Sequence, residues 1–358
     1  MSQDSSANFQ RSYTGARNRF LALSAAAQGH LESLLHPQPG PEGEIYTDIV
    51  SWGPKQASRC LVVSSGTHGI EGYAGSGIQN HLIDQGLPQR LPADTRLIMV
   101  HGINPHGFAW QRRVNEDNID LNRNFIDHTQ PHPSHQAYDD IADLLEPREW
   151  TAASPSTLSL AFQELIQQRG QRWFQTALTA GQYSHPYGQF YGGVEPAWSN
   201  QLIREFVRKQ LTGIEKILFI DIHTALGKFG EGECIVEVAP NSAEFHQAQA
   251  LWGSRVLSTV SGDSQSAQVS GSMLSGVRQE LGAPLLGTGL EFGTLPSNEV
   301  ILALVADQWL HRYGQIDSPL GRAIKARMME VFCPDSDEWR SSITRIATEV
   351  VDAALPES

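Results

Sequence analysis

Cysteine is scarce: Cys60, Cys234 and Cys333 are the only three in 358 residues. An odd number at wide spacing argues against a disulfide framework and against a thiolate zinc site, and it predicts buried free thiols in a reducing compartment. Long apolar runs are missing as well. No stretch reaches the roughly 18 residues that a membrane-spanning helix needs. Met1 to Arg11 is polar and lacks the apolar centre of an export signal. The expectation is a soluble, cytoplasmic protein with no membrane partner. Positive charge is the third shortage, since 26 Lys and Arg face 39 Asp and Glu for a net charge of −13. Phosphate binding needs a basic face, so a nucleic-acid partner is disfavoured. An anionic small molecule is still compatible, because a local arginine pocket can override the mean field. Internal repeats and low-complexity tracts are absent. So is Gly-x-Ser-x-Gly, the cue for a serine hydrolase: Gly262-Asp-Ser-Gln-Ser and Gly271-Ser-Met-Leu-Ser both lack the second glycine.

What is present is an ordinary globular composition, 40% hydrophobic and 18% charged, long enough to bury a large core without staples. Asn8 to Leu35 reads as a helix with a partial stripe of Phe20, Leu21, Leu23, Leu31 and Leu34, ended by a Pro-Gly cluster from His36. Strand-like runs follow at Glu44 to Trp52, Cys60 to Ser65, Arg96 to Val100, Ile217 to Ile222, Ile235 to Val238 and Leu285 to Phe292. Helical patterns lie between them at Ala74 to Asp84, Ala243 to Ser261, Asn298 to Arg312 and Leu320 to Val331. This alternation predicts an α/β fold, a mostly parallel mixed sheet covered by helices on both faces. Residues 1–358 read as one domain, with a helical and aromatic insertion at about 128–211 that could wall a pocket.

In such sheets ligands bind beyond the carboxyl ends of the strands, and the polar residues that stand out sit there. His68-Gly-Ile-Glu71 follows one strand in a loop that Gly66, Gly69 and Gly72 allow to turn tightly. Imidazole and carboxylate suit zinc, and catalytic zinc takes three protein ligands. Alone, His-x-x-Glu is common in surface loops. Arg112-Arg-Val-Asn-Glu-Asp-Asn-Ile-Asp-Leu-Asn-Arg-Asn-Phe125 carries arginines that could fork onto a carboxylate and an Asp that could orient a metal-bound imidazole. Asp221-Ile-His-Thr224 closes an apolar strand. Glu291, in Gly289-Leu-Glu-Phe-Gly293, would be costly to bury unpaired.

In this order, these segments resemble the zinc carboxypeptidase superfamily, which includes the aspartoacylase and succinylglutamate desuccinylase group, and within it a bacterial branch known as a domain of unknown function. The likeness runs from Arg59 to Thr294 and includes Gly-Thr-His-Gly-Ile-Glu-Gly, Asn104-Pro-His-Gly-Phe108, Asp-Ile-His-Thr-Ala-Leu-Gly and Leu-Glu-Phe-Gly-Thr. It implies one zinc per chain on His68, Glu71 and His223, with Asp120 behind the first histidine. Asn122 and Arg123 match the grip on a substrate carboxylate, Arg113 (with Arg112 as its neighbour) the residue that polarises the scissile carbonyl, and Glu291 the general base. The family's tyrosine over the substrate has no clear counterpart; Tyr183, Tyr187 and Tyr191 are candidates. The implied activity is hydrolysis of an amide near a free carboxylate, as a carboxypeptidase-like peptidase on a small peptide or as a deacylase of small N-acyl amino acids. A non-catalytic binding protein on the same fold is the rival from another class. His81, His101, His106, His185 and His246 read as surface or core histidines, and Met328 and Met329 as helix packing. Oligomeric state cannot be read from these features.

Overall fold

A computed structural model describes residues 5–262, 264, 268–283 and 285–355. The first four residues of the polar N-terminal stretch, and part of Gly262-Asp-Ser-Gln-Ser, lie outside the described residues. Among the described residues eight strands form one sheet: β1 (His30–Leu35), β2 (Tyr46–Trp52), β3 (Arg59–Ser65), β4 (Thr95–His101), β5 (Lys216–Phe229), β6 (Gly232–Val236), β7 (Val256–Ser258) and β8 (Leu286–Gly293), in the order β1-β2-β4-β3-β5-β8-β6-β7. The centre, β4-β3-β5-β8, is parallel. β1, β2 and β4 pair antiparallel, as do β6 and β8. The longer helices are α1 (Tyr13–Ala26), α2 (Gly72–Asp84), α3 (Ser154–Arg169), α4 (Gln171–Thr179), α5 (Trp198–Phe206), α6 (Ala243–Trp252), α7 (Met273–Leu281), α8 (Ser297–Tyr313), α9 (Pro319–Phe332) and α10 (Asp337–Ala354).

The central strands read as continuous apolar runs because both faces are covered. Successive side chains of a strand point to opposite faces. Leu61 and Val63 of β3 thus join the core under α1, α2, α8, α9 and α10, while Cys60 and Val62 join the core under α5 and α7. All three cysteines are buried free thiols. Among the described residues no helix is long and apolar enough to cross a membrane.

Two expected helices are shorter than their sequence pattern. The first ends at Ala26, and His30–Leu35 is instead the edge strand β1. Gln28 turns the chain at φ +59°, and a Cβ at Gly29 would lie 2.4 Å from Val50 Cγ1, so glycine alone lets the chain close onto β2. Leu31 and Leu35 are left exposed rather than completing a helical stripe. The second ends at Trp252, and Val256–Ser258 pairs with β6 as β7, because sheet-edge hydrogen bonding outcompetes a weak helical pattern.

Candidate active site

The parallel centre opens the carboxyl ends of β3, β5 and β8 along one edge. After β3, a short turn brings His68 and Glu71 back over the sheet. The turn hangs on the 110–118 loop: Gly69 N–H donates to the Arg113 carbonyl (3.1 Å) and Ile70 N–H to the Arg112 carbonyl (2.7 Å). A Cβ on Gly69 would lie 2.0 Å from the Gly107 carbonyl carbon, so this approach is closed to any other residue. Asn104 fixes the facing loop by accepting from Gly107 N–H (2.8 Å) and donating to the Arg113 carbonyl (3.3 Å).

On β5, His223 stands opposite Glu291 of β8. β5 then leaves regular pairing, with a register shift between Ala225 and Phe229. Ala225 takes φ +142°, a strained backbone of the kind that is retained where geometry is functional. Just beyond it, Leu226 N–H donates to Glu291 Oε1 (3.0 Å).

His68, Glu71 and His223 each present a donor atom, and the three atoms lie within 4.8 Å of one another. Both imidazoles turn Nδ1 towards Glu71: His68 to Oε1 at 2.8 Å, His223 to Oε2 at 2.8 Å. Their far nitrogens are backed by carboxylates, His68 Nε2 by Asp120 (3.2 Å) and His223 Nε2 by Asp221 (2.6 Å). Asp221 is itself held by the hydroxyls of Ser64 (2.6 Å) and Thr67 (2.9 Å). A carboxylate behind each imidazole fixes its tautomer and raises its basicity. The donor set therefore fits a divalent cation: two nitrogens and a carboxylate, each held from behind.

The electrostatics agree. Burial alone would raise the Glu71 carboxyl, but His68 and His223 outweigh it and hold it far below its usual range. Burial opposes the charge of His223, yet Asp221 and Glu71 push its pKa well above the ordinary value. Asp120 is kept ionised against burial by Arg113, Arg123 and His68. Glu291 goes the other way. Burial and the neighbouring Glu71 push its carboxyl up to about 8, into the range where a carboxyl can both take up and give back a proton.

The two neighbouring arginines are resolved by position. Arg112 is locked away from the cleft on Asp307 (3.2 Å), whereas Arg113 reaches Asp120 (3.1 Å) and Glu71 (3.2 Å). Asn122 and Arg123 line the cleft. The Asn122 side-chain carbonyl accepts from Met273 N–H (2.9 Å). The buried Arg123 donates to the carbonyls of Thr179 and Asn122. Phe190, at φ +53°, carries the guanidinium carbons of both Arg113 (5.2 Å) and Arg123 (5.4 Å) over its ring.

The cleft has a volume of about 520 Å³. The segment 128–211 supplies much of its wall, with Phe162 and Ile166 from α3, Phe174 and Leu178 from α4, and Phe190. None of the three candidate tyrosines lines it. Tyr183 donates its hydroxyl to the Arg123 carbonyl (2.7 Å), Tyr187 lies exposed under Arg312, and Tyr191 is buried in the core. Asp221 and Phe190 had no role assigned from sequence. Asp221 had a signal, because residues two apart on a strand share a face. Phe190 had none, since its partners lie far along the chain.

A search of curated proteins finds no match. Among solved structures, the chain is similar to thrombin activatable fibrinolysis inhibitor (13% identity, 98% of this chain and 77% of that chain, TM-score 0.47). It is similar to the carboxypeptidase A of Helicoverpa armigera (15% identity, 89% and 73%, TM-score 0.45). It is also similar to the succinylglutamate desuccinylase of Chromobacterium violaceum (15% identity, 88% and 74%, TM-score 0.36). The sequence matches the family described as "Protein of unknown function (DUF2817)" over residues 9–345, nearly its whole length, and the chain belongs to that family.

Proposed function

We propose that this protein is a zinc-dependent hydrolase that cleaves an amide bond beside a free carboxylate. The observation that carries the reading is the convergence of His68, Glu71 and His223 within 4.8 Å, at the edge of a cleft that Glu291 and two arginines also line. When bound, the metal supplies Lewis acidity, which polarises a carbonyl and acidifies water towards neutrality. The chain's own groups do the rest. Glu291, held by Leu226 N–H, accepts the proton of the attacking water and returns it to the leaving amine. Arg113 lies beside the ligand set, where charge on the carbonyl oxygen develops, and stabilises it. Arg123, pre-oriented by the Thr179 and Asn122 carbonyls and by Phe190, anchors the free carboxylate and so fixes the distance to the reacting bond.

Both a peptidase and a deacylase of N-acyl amino acids use these parts. The size of the cleft and its apolar α3–α4 wall favour the peptidase, since a small acyl group would leave much of that wall uncovered.

Elemental analysis of purified protein tests the metal. About one zinc per chain is expected in wild type, with loss in His223→Ala. Glu291→Gln is expected to keep the zinc and to lose turnover by roughly 10²–10⁴-fold. A wild type that takes up no metal from supplied zinc, or a Glu291→Gln variant of near-normal activity, sinks the reading.

A further inference from the structure

Apart from the carboxylates clustered around the ligand set, one acidic side chain among the described residues lines the cleft: Glu237, just beyond the end of β6. Its Oε2 accepts from the Ser272 hydroxyl at 2.8 Å. Ser272 caps α7, and the next residue, Met273, donates its N–H to Asn122. Glu237 is thereby tied to the same corner of the cleft as Asn122 and Arg123, and Arg123 acts on it electrostatically.

Arg278 approaches Glu237 only at 3.6 Å, and its other terminal nitrogen is paired with Glu244. Two carboxylates thus share one guanidinium at contact distance, and Arg123 acts on Glu237 without a salt bridge to it. Burial pushes the Glu237 carboxyl above its usual value, the mark of a charge short of solvent and partners. A quarter of its side-chain surface is still open. Phe174 and Leu178 of α4, with Val269 and Leu274, provide apolar surface along the cleft. Such a surface suits a long methylene stem with a charged head, the manner in which lysine and arginine side chains bury.

We propose that Glu237 selects a substrate whose carboxylate-bearing residue has a cationic side chain, a primary amine or guanidinium on a flexible stem. This rests on Arg123 being the carboxylate anchor, as the hydrolase reading has it. With the carboxylate on Arg123, the stem runs along the apolar wall and the cation meets the open face of Glu237. An acidic side chain there is repelled. An apolar one leaves Glu237 desolvated without compensation, which is how a buried polar group enforces specificity.

Lysine and norleucine, which differ by the terminal ammonium, make the test. Their binding to the purified full chain is measured by calorimetry, with zinc supplied and again with chelator. Wild type is expected to bind lysine roughly tenfold more tightly, about 1.4 kcal/mol. Glu237→Gln is expected to bring the ratio near one, Glu237→Asp to restore part of it, and Glu237→Lys to favour glutamate over lysine. Thermal midpoints verify that each variant is folded. Equal or tighter binding of norleucine by wild type, no binding of either ligand, or a ratio unmoved in Glu237→Gln overturns the proposal. Hydrolysis of peptides and N-acyl amino acids is scored in parallel. Absent turnover with the lysine preference intact refutes the hydrolase reading alone. Turnover without preference for a cationic residue refutes the role of Glu237 alone.

Discussion

Two buried clusters of charge lie on either side of the 110–118 loop, and they are built on opposite principles. One is the cleft group of Glu71, Asp120, Asp221 and Glu291 with Arg113, Arg123 and two histidines. The other joins Asp307 of α8 to Arg112 and to Lys325 of α9 (2.5 Å), with Lys325 also donating to the Trp110 carbonyl (2.8 Å) and bonding His311 (2.7 Å). In the second, every charge meets an opposite charge or a carbonyl, and the cluster is sealed. In the first, His68, Glu71, Asp221, His223 and Glu291 converge on an open cleft. A sealed, satisfied ion cluster holds the fold; carboxylates and imidazoles that converge on a cavity leave room for a ligand. Burial and hydrogen-bond density do not separate them. The cavity does.

The sharpest way to break that comparison is to remove one carboxylate from each side. Asp307→Ala leaves Arg112 and Lys325 buried without their counter-ion and is expected to cost about 3–5 kcal/mol, read by chemical denaturation of metal-free protein. Glu291→Gln replaces a carboxyl that burial and Glu71 already hold above its usual range, so the same measurement is expected to show no loss, or a gain. Comparable losses in the two variants would mean that the clusters serve one structural purpose.

A finer cut is made inside the cleft group. Asp221→Asn keeps the shape and the contacts with Ser64 and Thr67 but removes the charge behind His223. Metal affinity is expected to fall roughly 10–100-fold with little change in folding stability. A competition titration with a chromophoric chelator reads the affinity. If affinity is unchanged, the 2.6 Å contact does not tune the ligand.

The same two clusters show what the sequence could and could not say. His68, Glu71, His223 and Glu291 were legible because each sits at a strand end, where apolar alternation breaks into glycine-flanked polar residues. The central strands were legible for the same reason, as both their faces are apolar. Asp307, Arg112 and Lys325 were not, since nothing local in α8 or α9 marks residues that meet only when 195 positions of chain fold back. The segment 128–211 reads from sequence as helical and aromatic, but the apolar side chains of α3 and α4 read like any helix packing until the cleft was seen. β1 was hidden because its leucines mimic a helical stripe, and only the turn at Gln28 and the fit of Gly29 against Val50 show otherwise.

The smallest effect concerns a third kind of buried ionisable group, one with neither a ligand nor a full ion pair. His101 of β4 is stacked on Phe20 (4.4 Å between ring centroids) and bonded through Nε2 to Ser76 (2.9 Å), while Nδ1 has no partner among the described residues. Asp48, opposite it on β2, favours the imidazolium and Arg17 of α1 opposes it. Arg17 in turn pairs with Asp48 at 2.7 Å, so neither charge dominates and burial pushes the His101 pKa down to about 4. The ordinary value is 6.5, so between pH 6.5 and 4 the unfolded chain binds a proton that the folded chain refuses, and stability falls as pH falls. Over the first pH unit below 6.5 the loss attributable to His101 approaches about 1 kcal/mol. His101→Phe keeps the ring against Phe20 and is expected to flatten the stability–pH curve by that amount. The unpartnered Ser76 hydroxyl shifts the whole curve without changing its slope. Denaturation midpoints at pH 7, 6.5 and 5.5 for both proteins separate slope from offset. An unchanged slope would show that the imidazole accepts its proton inside the fold, with Asp48 released from Arg17 to receive the charge.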